Sequence, residues 1–534
     1  MLIDMDLGTT TIVPPRGYYL TFITGTLVAA VVLYQVFRQL HSKWNGGQPS
    51  SRVSWPPSPP ALPILGHLHL IGANVHRDMH ALSVKYGPLV HLQMGSTHSL
   101  VVSSAEMAKL VLKTHDKSFA SRPSSGAVLE IFSHNYQDLA CAPYGPHWRH
   151  MRKICVLELL TCKRIQSFSY LRNEEMSSLV RSIWHESTSG QPVTISVKLA
   201  HLLLNIMALM TMGKRLISWG AEQQEDEAEL KNFKETITEM FILSGVVNNL
   251  GDYFPSIRWM DVQGYERRMR KTSKNFDDFV MKLIKDKRAL NAVVSDDKKD
   301  MLDVLLSLTS EANGKLSDET VMSTMQNILS AGVDTSSSTV EWALTEMSRK
   351  PFIMEKVRAE IDSVVGKARK VDESDLPRLP YLGCVVKEAL RLHPAAPLLL
   401  PHESIEPVKL LNYDIPAKTR LYVNAWAIGR DPSHWTNPLE FYPERFLDSD
   451  VDVTGQNFGL LPFGSGRRMC PGMVLGLTVI QFTLARLLHS FEFSLPSPLK
   501  PEDVDMGETF GLTIFKTQPL QLMATPRLAR ELYD

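Results

Sequence analysis

Cysteine is scarce in this chain. There are five in 534 residues, an odd number spread over the whole length, and such a set does not make a disulfide framework. Each thiol is therefore expected to be buried or chemically used, on the reducing side of a membrane. Net charge is also missing, since 57 Lys+Arg meet 57 Asp+Glu. The chain has no global field to gather nucleic acid, and a charged partner must be met by a local patch. No Gly-rich phosphate loop follows a strand. Gly464-Ser465-Gly466 lacks the spacing and context of a dinucleotide fingerprint, so direct nicotinamide binding is not expected. From about Leu62 onward there is no internal repeat and no low-complexity block. Hydrophobic residues at 44% and charged residues at 21% fit a globular protein and exclude a polytopic membrane protein.

One long uncharged run is present, Gly17 to Phe37. At ~1.5 Å per residue it spans about 31 Å, near the thickness of a bilayer's hydrocarbon core. Tyr18, Tyr19 and Tyr34 lie near its ends, and Arg38, Lys43 and Arg52 follow it. A signal peptide has a shorter apolar core and a small-residue cleavage site, and no such site follows Phe37. The run is expected to be a single-pass anchor with the positive, C-terminal side in the cytosol. Residues 1–16 would then be lumenal, 17–37 membrane-spanning and 38–63 a basic and proline-rich hinge. One large body would occupy 64–534. Its pattern predicts helices over most of the length, with small sheets from Leu89–Met94, Leu100–Ser103, Val408–Leu411, Leu421–Asn424, Phe491–Ser494 and Leu520–Met523.

Four segments carry chemistry. In Phe463-Gly464-Ser465-Gly466-Arg467-Arg468-Met469-Cys470-Pro471-Gly472, glycines let backbone approach a flat object, and two arginines put positive charge beside the thiol. An apolar helix from Val474 to Leu488 follows, and its N-terminus is expected to favour the thiolate. Such a thiolate is a plausible metal ligand. The second segment, Ala331-Gly332-Val333-Asp334-Thr335-Ser336, lies in a long helix from about Ser317 to Arg349. Its glycine and hydroxyls are expected to bend or loosen the helix and leave a groove beside Thr335. Glu388 and Arg391, at i,i+3, share a helix face and can pair, with Arg445 in a downstream turn as a third charge. Finally, Trp148 and Arg152, at i,i+4, stand one above the other and could contact an anionic planar ligand.

In this order these segments resemble the cytochrome P450 haem-thiolate monooxygenases. The pattern F-x-x-G-x-R-x-C-x-G is met by Phe463, Gly466, Arg468, Cys470 and Gly472. The resemblance implies a mainly α fold with small β-sheets, the P450 fold, preceded by one transmembrane helix. It implies haem b with Cys470 as the axial ligand of iron, and Trp148, Arg152, His402 and Arg468 on the haem propionates. Many relatives carry Arg at the place of His402. Thr335 would bond dioxygen and Asp334 would help relay protons, while Glu388, Arg391 and Arg445 would be structural. Electrons would come from NADPH through a membrane-bound NADPH–cytochrome P450 reductase, with cytochrome b5 as a possible second donor.

Asn412–Arg420, Asn424–Pro432 and Asp505–Glu508 are similar to plant microsomal A-type members. That similarity implies an endoplasmic reticulum protein that hydroxylates a small hydrophobic plant metabolite, a phenylpropanoid or flavonoid phenolic. Substrate would touch Pro123–Tyr136, Asn327–Gly332, Ala395–Leu400 and Phe510–Leu512. A terpenoid or fatty-acid hydroxylase, a reductase-independent isomerase or dehydratase, and a haem sensor are the alternatives.

Overall fold

The computed structural model describes residues 53–219, 228–246, 249–290, 299–309 and 316–533. The expected membrane run and most of the hinge lie outside the described residues. Trp55–Asp534 forms one compact unit.

The first helix, α1 (Val75–Tyr86), leads into the hairpin β1 (Leu89–Met94) and β2 (Thr97–Val102). Short strands β3 (His402–Glu403) and β4 (Arg420–Val423) complete a four-stranded sheet of order β1-β2-β4-β3. β4 runs parallel to β2, with Leu100 opposite Leu421 and Val102 opposite Val423. These alternate positions are all buried and make one apolar face with Leu89. A second sheet joins Val193–Thr194, Gln521–Pro526 and Phe491–Ser494.

From Trp55 onward the proline-rich segment packs on β1 and β2. The Trp55 ring stacks on His91 and His98, at 4.1 and 4.9 Å between centroids. The Pro57 carbonyl accepts the His91 amide at 2.9 Å. Prolines cannot donate to a ladder, but their carbonyls still accept, and that is how this segment is held to β1.

Helices supply the rest. Those that place the functional side chains are α2 (Pro146–Ile154), α3 (Ile195–Met212), α4 (Asp318–Arg349), α5 (Pro380–Leu392) and α6 (Met473–Ser490). α4 starts where the Ser317 side chain accepts the Thr320 amide at 3.2 Å, an N-cap. It runs unbroken for 32 residues, through Ala331–Ser336. Gly332 has a packing role there. A Cβ there would lie 2.4 Å from Met207 Cε and 2.6 Å from its sulfur, so glycine lets α3 pack closely on α4. α3 and α6 are each long and apolar enough to cross a membrane, but both are 67% buried within the fold and serve as core helices.

α5 is tied to the loop beyond β4 by charge. The Glu388 carboxylate takes Arg391 Nε at 2.7 Å and Nη2 at 2.8 Å, a bidentate pair, and Arg445 Nε at 3.0 Å. Arg391 also donates to the carbonyls of Pro438 (2.7 Å) and Glu440 (3.0 Å), and Arg445 to that of Thr436 (2.8 Å). Glu388 and Arg391 are fully buried, so their energy depends on every lone pair and proton being used. Gly429 has no room for a side chain, because a Cβ would lie 2.4 Å from the Arg391 carbonyl oxygen. Removing one partner leaves a buried charge alone. Glu388→Ala is expected to cost about 3–5 kcal/mol in chemical denaturation, whereas the exposed pair Arg268–Glu239 should cost under about 1 kcal/mol. Equal losses from the two would contradict this assignment.

Candidate active site

The cysteine loop is closed by its own backbone: the Cys470 amide donates to the Phe463 carbonyl at 2.9 Å. Gly464 and Gly466 have φ of 70° and 71°, the left-handed region that side chains disfavour. At Gly466 a Cβ would also meet the Leu112 carbonyl oxygen at 2.4 Å. The Phe463 ring lies against the first turn of α6, with Cε1 3.9 Å from a Cβ placed on Gly476. Cys470 and Gly472 are only partly buried, so the loop is not sealed over.

Charge around the thiol differs from expectation. Arg467 turns outward, pairing with Asp116 at 2.9 Å and facing the Tyr144 ring. Arg468 lies over the Trp148 ring at 4.4 Å. The cation that acts on Cys470 is Arg152, whose Nη1 donates to the Met469 carbonyl at 2.7 Å. Burial nonetheless pushes the Cys470 thiol above its ordinary value, against the opposing Gly472 amide and Arg152. A metal ion held at the sulfur would supply the opposing charge, since a coordinating thiol is deprotonated outright.

Trp148 and Arg152 do share one face of α2, and the Trp148 Nε1 donates to the Leu139 carbonyl at 3.2 Å. Arg468 donates to the carbonyls of Ala120 and Leu139. A third cation, Arg122, was not singled out from sequence. It is buried, donating to Ala140 O at 3.0 Å and to Leu400 O at 2.8 Å. Its context, Phe119-Ala120-Ser121-Arg122-Pro123, was the available signal, a lone charge flanked by uncharged residues. Among the described residues none of Arg122, Arg152 and Arg468 has an ion pair with a carboxylate. Burial, with Arg122 alongside, lowers Arg468 to about 8, and burial lowers Arg122 to about 10. The three guanidiniums, Arg122 buried and Arg152 and Arg468 partly buried, make no carboxylate ion pair among the described residues, and the buried Asp138 carboxyl acts on Arg122 and Arg468 only through space.

His402 is buried on β3, beside Arg122, and burial lowers it to about 3. Its Nδ1 meets the Phe119 carbonyl at 2.8 Å, so Nδ1 carries the proton and a neutral ring offers an acceptor at Nε2. It adds no positive charge to the cluster.

On α4, Asn327, Ile328, Ala331, Asp334 and Thr335 all keep accessible surface, while Gln326, Leu329, Val333 and Ser336 are buried. At helical spacing this is one open face. The Thr335 hydroxyl donates to the Ala331 carbonyl at 2.6 Å, the back-bond that a mid-helix threonine makes when no other partner takes it. Asp334 is pushed up to about 7 by burial. Asn327 joins this helix to the 138–142 loop, and that loop's carbonyls hold Arg122 and Arg468. One connected frame thus carries a thiol on a glycine-rich floor, a rim of unneutralised guanidiniums, and a helix face with a hydroxyl and a protonatable carboxyl. It suits a flat group that bears a thiophilic metal and carboxylates of its own.

Comparison with known proteins agrees. The family described as Cytochrome P450 matches residues 56–523. A flavonoid 3'-monooxygenase of Crocosmia x crocosmiiflora is 39% identical over 524 residues, covering 97% of this chain and 99% of that protein. A phenylacetaldehyde oxime monooxygenase of Prunus mume is 42% identical, covering 91% and 92%. A zebra fish cytochrome P450 structure with abiraterone superposes with a TM-score of 0.70 at 26% identity, covering 85% of this chain and all of that one. The chain belongs to the cytochrome P450 family, whose haem-thiolate iron performs oxygen-dependent monooxygenation with electrons delivered by a redox partner.

Proposed function

We propose that this P450 hydroxylates a small aromatic plant metabolite, a phenylpropanoid or flavonoid phenolic, with electrons from NADPH. NADPH–cytochrome P450 reductase would deliver them, with cytochrome b5 as an auxiliary donor. Support for the substrate class comes from the relatives. Flavonoid 3'-monooxygenases of Crocosmia x crocosmiiflora, Arabidopsis thaliana and Petunia hybrida lie at 39–40% identity, and the phenylacetaldehyde oxime enzyme shares an aromatic substrate with them. The run Gly17–Phe37 would anchor the enzyme in the endoplasmic reticulum membrane, with its body on the cytosolic side favoured by Arg38, Lys43 and Arg52.

The observation that carries the site assignment is the thiol floor beside three guanidiniums without carboxylate ion pairs, Arg122 buried and Arg152 and Arg468 partly so. Cys470 would be the axial ligand of haem iron, with Phe463, Gly466 and Gly472 shaping the loop around it. Arg152 and Arg468, joined by Arg122 and with Trp148 beneath Arg468, would hold the haem carboxylates. His402 would line that edge as a neutral ring. When bound, haem supplies the iron that activates O2 for insertion into a C–H bond.

The chain's own part is to place protons and exclude water. Thr335 can release its back-bond to Ala331 and donate toward the open face of α4. Asp334, one residue earlier, is half-protonated near neutral pH and can pass a proton and recover it. Ile328 and Ala331 give that face an apolar wall suited to an aromatic ring.

Cys470→Ala is expected to abolish the thiolate band in the reduced carbon monoxide difference spectrum; a retained band would overturn the ligand assignment. With reductase and NADPH, the fraction of electrons that ends in product should fall as pH rises through about 7, because Asp334 loses its proton there. Asp334→Asn should remove that inflection, and an inflection that persists unchanged would contradict the relay. Product formed equally well from a hydroperoxide without reductase would favour the isomerase reading. A panel of phenolics, flavonoids, terpenoids and fatty acids identifies the substrate class.

A further inference from the structure

Asp138 is buried, titratable and carries none of the roles assigned above. It opens the loop 138–142, whose hydrogen bonds divide sharply by polarity. The loop's carbonyls point one way: Leu139 O accepts Trp148 Nε1 and Arg468 Nη1, Ala140 O accepts Arg122 Nε, and Ala142 O accepts Arg468 Nη2. Its amides point the other way. The Cys141 amide donates to Asp138 Oδ1 at 2.7 Å, and the Ala140 amide donates to Asn327 Oδ1 at 3.0 Å. The two side chains then close on each other, with Asn327 Nδ2 donating to Asp138 Oδ2 at 2.7 Å.

Both ends of the Asn327 amide are therefore spent on this loop. Asn327 stands on the open face of α4, two helical turns before Thr335, so its clasp with Asp138 locks that helix to the frame holding Arg122 and Arg468. A loop whose carbonyls position buried cations needs its amides satisfied from the opposite side, or the peptide planes rotate and the cations shift. Nothing else in the described residues supplies those acceptors to Ala140 and Cys141.

We propose that Asp138 and Asn327 are positioning residues for haem retention. Acting through the 138–142 backbone, they set the arginines at the spacing required by the haem carboxylates and fix that rim to the oxygen-side helix. This rests on the haem assignment above and extends it to two residues that need not touch the haem carboxylates.

Donor and acceptor chemistry makes the inference testable by exchange. Asp138→Asn alone sets an amide donor against the donor of Asn327. Turning either amide over only moves the clash to Cys141 or Ala140. Asn327→Asp alone sets two carboxylates face to face. The double exchange, Asp138→Asn with Asn327→Asp, restores all three hydrogen bonds with the direction of one reversed, and it keeps volume and net charge. Ferric holoenzyme is mixed with excess apomyoglobin and haem release is followed by absorbance. Each single variant should release haem about 10- to 100-fold faster than the parent, the usual cost of losing a supporting contact to a metal site. The exchange should return the rate to within a few-fold of the parent. Singles that release haem at the parental rate, or an exchange that releases it as fast as the singles, overturn the proposal. A single variant that fails to fold leaves the exchange variant to decide, since a purely packing role predicts no rescue by reversing a hydrogen bond. Loss of the thiolate band in the parent itself would instead refute the haem assignment, so the two failures are distinguishable.

Discussion

Holding guanidinium groups wholly or partly buried without a carboxylate ion pair is the constraint on which the rest of this structure depends. Arg122, Arg152 and Arg468 spend their donors on backbone carbonyls, and burial pulls Arg122 and Arg468 below their ordinary values. Such a cluster is better compensated when something outside the chain supplies an anion. The haem of a P450, with its two carboxylates, would do so, and its iron would supply positive charge at Cys470. The electrostatic needs of rim and floor are opposite in sign, and one cofactor could meet both.

The contrast with Glu388, Arg391 and Arg445 makes the point by comparison. There the chain completes its own charge network, and every donor of Arg391 is matched within the described residues. That site is finished and holds α5 to the loop beyond β4. The arginine rim is unfinished. Self-sufficiency is what separates this structural charge cluster from the rim.

Much of this was legible in the sequence. The thiol loop, the long helix α4 and the i,i+3 charge pair were read from residue spacing, and the helix bounds fell within about one residue of those seen. What escaped was whatever depends on contacts distant in sequence. Gly332 read as a weak point in α4, but its partner Met207 lies in another helix. Arg467 and Arg468 read as neighbours of the thiol, yet Asp116 and Trp148 draw them elsewhere, and Arg152 takes the place. Arg122 and Asp138 had no periodicity to betray them, since each acts through a loop backbone. The proline segment reads as a stiff spacer, and its packing on the body does not show in sequence because its stacking partners, His91 and His98, belong to a strand pair formed only on folding.

The most direct test of this account compares protein loaded with haem and with haem dimethyl ester, whose carboxylates are capped and uncharged. If the unneutralised arginine rim is built for those carboxylates, the ester should be released about 100-fold faster or more, as expected for buried charges left unpaired. Equal release rates for the two would contradict it.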